Sequence, residues 1–536
     1  MVFPVLVGML RQAMLLRRTM PVAAAARPSS ALCRTLSTMP PTRHRSTATV
    51  DDLGHDEELE WEDKFVAMSN EVYDSSRSHQ DSAAGLRALV RSGLLTHTDL
   101  RDRPERFFKA HRLLARHAVD HGPGFWIRFT VHYNLCFGTV LAVGGPEQID
   151  SMQQVQEHGL LGCFALTEKL AGVQSGLIVQ TKARYDEASD TFVLSNTGET
   201  EGAFKNWISQ GFVADKAVVL ADLTVGGERK GPHAFLMDLR QNGTLCAGVS
   251  VGDMGLKTTG NDLDNAWIGL DNVRLPRSAL LNRYADVDAD GTYTSKSSVK
   301  PFEMIGQRLY TGRVAVAQAA LAYRRRLYEK TRSYTDAKLI PSFGGGAATK
   351  PLSSIPQLKA LFEEAESTAS ELEAYVRSCE QRLSPLLGSN GVPDESLAHE
   401  IATAKVKAVE ASIDLCFRLK QEVGSYALMA DSGFAHMDFL QCCKFAEGDS
   451  RVLMLKMARD RLRSFAKDAK AGKQTAVGEE AEVALCGSLA EALSAANGDK
   501  AAEAQIWDEE WVTVYALAEA TMDRTMARVL HKGGSA

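Results

Sequence analysis

Hydrophobic periodicity changes twice along this 536-residue chain, and the changes divide it into parts. Residues 51–160 repeat apolar side chains at helical spacing. Residues 161–285 contain short alternating runs separated by turn residues, a pattern typical of strands. Helical spacing returns over 299–465, and a helical extension follows over 478–536. This order predicts a mainly α protein with a central β-domain: a helical N-terminal domain, a small antiparallel β-barrel-like domain and a C-terminal helical bundle.

Composition and charge narrow the range of functions. The chain is 45% hydrophobic and 24% charged, with a formal net charge of −6, which argues against a general nucleic-acid binder. No apolar run is long enough to predict a membrane span. The nine cysteines include no CxxC pair and the histidines no HExxH pattern, so we predict no metal site. The basic run 324–326 predicts either a solvated face or a contact with phosphate.

Residues 1–50 differ from the rest of the chain. They contain seven arginines, no lysine and no acidic residue, which is typical of an organellar transit peptide. We therefore predict import into the mitochondrial matrix, with a plastid or a simple disordered tail as the alternatives. The last residues, 531–536, are not an SKL-type address, so a peroxisomal location is less favoured.

The segment 444–451 places one carboxylate where a helix begins. Asp449 and Ser450 are good N-cap residues, and apolar residues follow them at helical spacing. Upstream, residues 437–443 carry a single charge, so Glu447 is expected to lie between apolar walls. Apolar walls raise the pKa of a carboxyl group and a helix N-terminus lowers it, which can poise Glu447 as a general base near neutral pH. An ordinary capping carboxylate is the alternative.

Three motifs in this order carry a resemblance: GCFALTEKLAG at 162–172, KNWISQG at 205–211 and AEGDS at 446–450. Together they resemble the acyl-CoA dehydrogenase/acyl-CoA oxidase superfamily, with its Thr-Glu loop, its Lys-x-Trp-Ile-Thr loop and its Glu-Gly junction. Residues 253–257 and 272–277 are similar to the ends of the superfamily's β-domain. The resemblance covers about 100–465 and implies an acyl-CoA dehydrogenase-like fold.

The resemblance also implies a chemistry. Glu447 would remove the α-proton of an acyl-CoA, and FAD would accept a hydride, which gives a trans-2-enoyl-CoA. Substrate contacts would come from Arg308 and Gly448. The implied cofactor-binding residues are Phe164, Leu166, Thr167, Gly172, Val173, Trp207, Ser209, Phe343, Gln421, Gly424, Ser425 and Asp449.

The chain departs from the superfamily pattern in its phosphate contacts. Val173 stands where the superfamily often has a serine, and Ser175 is the nearest replacement. Ile340 stands three residues before Phe343, where the superfamily has an arginine, and Lys338 is the candidate substitute. How FAD would be held therefore stays open.

The electron acceptor also stays open. Residues 207–209 resemble the dehydrogenase form of their loop, and a mitochondrial address would supply electron-transfer flavoprotein. The stretch 106–134 looks more like the oxidase branch, which passes electrons to O2. We favour the dehydrogenase, expect a homodimer or homotetramer, and keep as an alternative of another class a structural or interaction subunit that retains the fold without flavin.

Overall fold

The structure is a computed structural model that describes residues 50–75, 78–172, 175, 178–198, 201–298, 301–342, 348–389, 391–472 and 478–533. The chain divides into two compact units, Met1–Glu57 and Glu58–Ala536. Of the first unit, only the residues from Val50 onward are described. Residues 1–49 of the predicted transit peptide therefore lie outside the described residues. Val173 and Phe343, two predicted cofactor-binding residues, also lie outside them.

The N-terminal part is helical. Its helices are α1 (Val50–Ser75), α2 (His79–Ser92), α3 (Asp99–Asp102), α4 (Pro104–His121), α5 (Gly124–Thr130), α6 (Gly138–Val143) and α7 (Pro146–Glu157). Pro104 lies in the first turn of α4, where its missing N–H has no acceptor to lose. Between α5 and α6 the chain continues as a π-helix, Val131–Phe137. The apolar stretch 125–143 is thus helical throughout, with wider turns in its middle.

The central part is a β-domain. Its strands are β1 (Gly162–Ala165), β2 (Lys182–Asp186), β3 (Thr191–Ser195), β4 (Lys205–Ser209), β5 (Lys216–Val225), β6 (Glu228–Asp238), β7 (Arg240–Gln241), β8 (Thr244–Leu245), β9 (Val249–Asp253), β10 (Asn265–Leu270), β11 (Val273–Pro276), β12 (Ala285–Val287) and β13 (Tyr293–Ser295). The largest sheet has the order β1-β5-β2-β3-β11, with β6 also paired to β5, and a second has the order β4-β10-β9. Most pairs are antiparallel, but β1 and β2 run parallel to β5 because long connections separate them from it in sequence.

The C-terminal part returns to helices. They are α8 (Pro301–Ala337), α9 (Pro356–Gly388), α10 (Glu395–Glu422), α11 (Asp438–Phe445), α12 (Ser450–Lys470), α13 (Glu480–Ser494), α14 (Lys500–Glu509) and α15 (Trp511–Gly533), and a short hairpin of β14 (Leu339–Pro341) and β15 (Thr349–Pro351) lies between α8 and α9. Helix α8 packs on α4, α9 and α10, and its alanine-rich stretch is buried in the core that the N-terminal and C-terminal helices share.

The last helices are attached by buried ion pairs. Glu482 of α13 is 2% exposed and binds both Arg461 of α12 and Arg524 of α15. Such a group is costly to bury unless it is paired, so α13 and α15 are held firmly against α12. No described helix is both long enough and apolar enough to cross a bilayer.

Candidate active site

The site is built around a sharp junction between two helices. Helix α11 ends at Phe445 and α12 begins at Ser450, with the side chain of Asp449 accepting a hydrogen bond of 2.7 Å from the Arg451 N–H. Glu447 and Gly448 both adopt left-handed backbone conformations, with φ of +57° and +95°. Glycine adopts this conformation freely, whereas a glutamate there is strained and needs support from its surroundings. The junction therefore fixes the position of the Glu447 carboxylate.

The Glu447 side chain points into the protein interior. The residue is 9% exposed, and its Oε1 accepts a hydrogen bond of 3.4 Å from Asn134 Nδ2. Its Oε2 is buried and has no hydrogen-bond partner among the described residues. Helix α8 leaves room for the group at Gly312, where an added Cβ would lie 2.1 Å from Glu447 Cδ. One carboxylate oxygen is thus available to accept a proton.

The electrostatic setting of Glu447 makes it a weak acid. Burial raises its pKa from the usual 4.5 to about 8, while Arg313, the Asn134 amide and Lys405 act in the opposite direction. Burial is therefore the largest of these effects, as expected for a carboxyl group between apolar walls. A carboxyl group with this pKa can take up a proton near neutral pH, which an ordinary capping carboxylate cannot do.

A buried lysine and a half-buried arginine bind the backbone of the junction. Lys405 of α10 donates from Nζ to the carbonyl of Lys444 at 2.5 Å, the carbonyl of Gly448 at 3.0 Å and Ser450 Oγ at 3.0 Å. Arg313 of α8 donates from Nε to the Glu447 carbonyl at 2.9 Å. We call Lys405 and Arg313 the junction clamp. Because its bonds reach both sides of Glu447, the clamp fixes the strained backbone.

The π-helix connects Glu447 to the β-domain. Asn134 donates both to Glu447 and to the carbonyl of Arg308, the latter at 3.3 Å. Two residues earlier, His132 Nδ1 accepts a hydrogen bond of 3.1 Å from the N–H of Gly162, at the start of β1. Arg308, the predicted substrate contact, is 2% exposed, and burial lowers its pKa to about 9. The π-helical turn thus lies where the carboxylate, Arg308 and β1 meet.

The two β-domain motifs lie side by side. Glu168 and Lys205 form a fully buried ion pair, with Nζ and Oε1 2.8 Å apart. The Asn206 N–H donates to the Thr167 carbonyl at 2.9 Å, which joins the loop after β1 to β4. This pairing leaves Thr167 exposed and Trp207 56% exposed, at a left-handed φ of +55°. A large indole held in a strained, solvent-facing position indicates a surface for a flat ligand.

The remaining predicted residues lie in different settings. Ser209 Oγ accepts a hydrogen bond of 3.0 Å from Asn265 Nδ2. Gln421 lies in the last turn of α10, and Gly424 and Ser425 follow that helix; all three are exposed, as is Gly172. Phe164 is buried and Leu166 is half-buried. Ile340 pairs with Lys350 in the β14–β15 hairpin. Their contacts with a cofactor stay predictions.

Sequence reasoning missed several residues of this site: Asn134, Gly312, Arg313 and Lys405. Asn134 contacts Glu447 from a π-helical turn, which the sequence does not signal. A glycine inside a long helix costs stability relative to alanine, so Gly312 was the one available signal of a close approach.

Replacing Gly312 with Ala is expected to reduce the activity of the site by about tenfold or more, since the new methyl group would lie 2.1 Å from Glu447 Cδ and must displace the carboxylate. We also expect a loss of about 1–3 kcal/mol of unfolding free energy from overpacking. Gly306→Ala is the matched control, because nothing lies within 4 Å of an added Cβ at that position of α8. Equal turnover in the two variants would contradict the close packing.

Comparison of the chain with known proteins identifies similar sequences and structures. No family model matches the chain. Acyl-coenzyme A oxidase 2 of Yarrowia lipolytica is 30% identical over 394 residues, which is 68% of this chain and 54% of that protein. The crystal structure of acyl-CoA oxidase-2 of Caenorhabditis elegans bound with FAD, ascaroside-CoA and ATP has a TM-score of 0.73 at 18% identity, covering 90% of this chain and 76% of that one.

The chain belongs to the acyl-CoA dehydrogenase/acyl-CoA oxidase superfamily. The resemblance and the predicted fold class are thereby confirmed. Another relative in this superfamily, peroxisomal acyl-coenzyme A oxidase 3 of Homo sapiens, is 37% identical over 201 residues, or 35% of this chain and 28% of that protein. The chain spans about half the length of the curated relatives that match it over the longest stretches. For the Yarrowia oxidase, the matched share is 54% of that protein.

The relatives correct the predicted location. The human, mouse and Arabidopsis relatives are named as peroxisomal acyl-coenzyme A oxidases. The prediction of a mitochondrial matrix location is therefore wrong. The arginine-rich composition of 1–50 was its sole physical basis, and composition alone does not distinguish a transit peptide from another basic N-terminal segment.

Proposed function

We propose that the protein oxidises an acyl-CoA to a trans-2-enoyl-CoA with FAD as cofactor and Glu447 as the base. The observation that carries the proposal is the free, buried Oε2 of Glu447, fixed at a strained junction and held by the clamp. If Glu447 only formed an ion pair or capped a helix, both of its carboxylate oxygens would have partners and its pKa would not be raised.

The described residues fit the flavin end of FAD. The exposed indole of Trp207 offers a flat apolar surface, and the exposed Thr167 beside it offers a hydroxyl for hydrogen bonding. Ser209 and the backbone from Phe164 to Gly172 complete the proposed set. When bound, FAD would supply the hydride acceptor. On the diphosphate side Ser175 is described and exposed, whereas Val173 and Phe343 lie outside the described residues.

The chemistry required of the chain is the removal of one proton. Breaking the Cα–H bond of an acyl thioester leaves an electron pair on Cα, which forms the Cα=Cβ bond as the hydride leaves Cβ. Glu447 Oε2 accepts the proton, and burial gives it enough basicity to do so near neutral pH. Asn134 orients the other oxygen, and Arg313 fixes the backbone of the same residue.

We propose O2 as the electron acceptor. The named relatives are oxidases, which supports this alternative over the dehydrogenase that we favoured from residues 207–209 and from the transit peptide. A peroxisomal location, proposed from the names of the relatives, is consistent with O2 and not with electron-transfer flavoprotein.

We also propose a homo-oligomer in which Gln421, Gly424 and Ser425 contact the adenine half of a neighbouring subunit's FAD. The three are exposed, and next to them Leu428 and Met429 expose 80% and 57% of their surfaces. These large apolar side chains are exposed and follow the proposed contact residues closely in the sequence, which supports a subunit interface at this place.

The raised pKa of Glu447 predicts a pH-dependent cost to stability. Between pH 4.5 and about 8 the unfolded chain releases this proton and the folded chain keeps it, so rising pH favours unfolding by about 1.4 kcal/mol per pH unit. Glu447→Gln removes the titration. We therefore expect the variant to gain unfolding free energy over the unmodified protein as the pH rises from 5 to 8. A difference that does not change with pH, measured by denaturant unfolding, would contradict the assigned pKa.

Anaerobic titration with acyl-CoAs of several chain lengths, followed by admission of air, tests the proposed function. The purified protein should be yellow, lose its flavin absorption with its preferred acyl-CoA, and recover it in air with release of hydrogen peroxide. Recovery that needs electron-transfer flavoprotein would favour the dehydrogenase. A colourless protein that cannot be reconstituted with FAD would instead favour the structural or interaction subunit.

A further inference from the structure

The basic run 324–326 on α8 separates into three different environments. Arg325 forms a two-pronged ion pair with Glu373, with N···O distances of 3.0 and 2.9 Å. Arg326 pairs with Asp120 at 3.2 Å. Arg324 is 1% exposed, and neither of its terminal nitrogens has a hydrogen-bond partner among the described residues. A simple solvated face is therefore the wrong interpretation for Arg324.

A buried guanidinium without a counter-ion is costly, because it has lost its hydration without gaining a partner. Two carboxylates near Arg324 are already paired with other arginines. Glu373 is bound by Arg325, and Glu329 pairs with Arg116 at 3.1 Å. The part of the chain that the structure describes thus leaves unused the two nitrogens of Arg324 that suit a planar oxyanion.

Arg324 lines a cleft of about 710 Å³ between α8 and α9. Apolar groups form much of its wall, including Tyr328 and Phe362, whose rings meet edge to face at 5.8 Å. The guanidinium of Arg332 lies over the Phe362 ring at 4.4 Å. Glu363 and Glu366, both exposed, also line it. Their negative charge disfavours a ligand with several phosphates and is tolerable for a single anionic group.

We propose that this cleft binds a small monocarboxylate with an apolar body, whose carboxylate accepts hydrogen bonds from the two terminal nitrogens of Arg324. The apolar body would lie against Tyr328 and Phe362. The cleft is separate from the proposed active site, because Arg324 is eleven residues along α8 from Arg313, roughly 17 Å at 1.5 Å per residue. The proposal does not depend on the proposed function.

Calorimetric titration with hexanoate tests the site on the full-length protein. We expect saturable binding to the unmodified protein and to Arg326→Met, and binding at least about tenfold weaker to Arg324→Met, which keeps the volume and removes the charge. Hexanamide, the uncharged analogue, should not bind. Equal hexanoate affinity in Arg324→Met and Arg326→Met, or no binding to the unmodified protein, would overturn the proposal.

A second variant is expected to bind hexanoate more tightly, a result that misfolding cannot produce. Glu366→Gln removes one negative charge at the cleft, so it should tighten hexanoate binding by about twofold. Weaker binding in Glu366→Gln would overturn the proposed role of that charge. Inorganic phosphate is the competing probe: Arg324-dependent binding of phosphate without binding of hexanoate would overturn the assignment to a carboxylate.

Discussion

Glu447→Gln is expected to slow acyl-CoA oxidation by roughly 10²–10⁴-fold, the usual contribution of a general base. The amide has the size of the carboxyl group and cannot accept the α-proton. Because Glu447 makes no ion pair with any described residue, the substitution should leave folding and flavin binding intact. The measurement is the rate of flavin bleaching by octanoyl-CoA in the absence of air, with the flavin content of the two proteins matched.

Glu410→Gln is a suitable control for this experiment. Glu410 pairs with Lys444, three residues before Glu447, and its own side chain is 36% exposed. The control should keep the rate of the unmodified protein. Retained bleaching in Glu447→Gln would reject the base assignment, whereas loss of flavin from that variant would show a structural role for Glu447 that the geometry does not indicate.

Lys405→Met is expected to lower the rate by about 10²-fold, the effect of misplacing a catalytic group by about an ångström. The substitution removes hydrogen bonds to Lys444, Gly448 and Ser450, which hold the strained junction. The Lys405 charge also lowers the pKa of Glu447, so its loss should raise that pKa further above about 8. The expected signature is a rate profile shifted to higher pH, which a purely structural defect would not produce.

Lys407→Met provides the matched control, since it makes the same change two residues along α10. Lys407 binds Glu519 and Asp523 of α15, at 2.6 and 2.7 Å, and does not contact the junction. Its pH profile should equal that of the unmodified protein. An unshifted profile in Lys405→Met, with full turnover, would contradict the role of the clamp.

The sequence predicts the fold well because periodicity is a local property. Alternating runs and helical stripes identify the central β-domain between two helical parts, and Asp449 begins its helix as a cap residue should. Parallel pairing of β1 and β2 with β5 was not predictable, because it depends on which distant strands meet.

The surroundings of Glu447 depend on packing that no local pattern reveals. Lys405 and Lys407 look alike in the sequence, yet one is buried in the clamp and the other faces α15. Asn134 contacts Glu447 from a π-helical turn across 313 residues of chain. The sequence therefore indicated the central residue of the site, and only the structure shows the residues that control it.

Stopped-flow reduction of the flavin with octanoyl-CoA deuterated at C2, in the absence of air, tests the account most directly. If Glu447 removes the α-proton, bleaching by the deuterated substrate should be slower than by the ordinary one, with a rate that rises with pH through about 8. Bleaching that is equally fast with both substrates and independent of pH would contradict the assignment of Glu447 as the base.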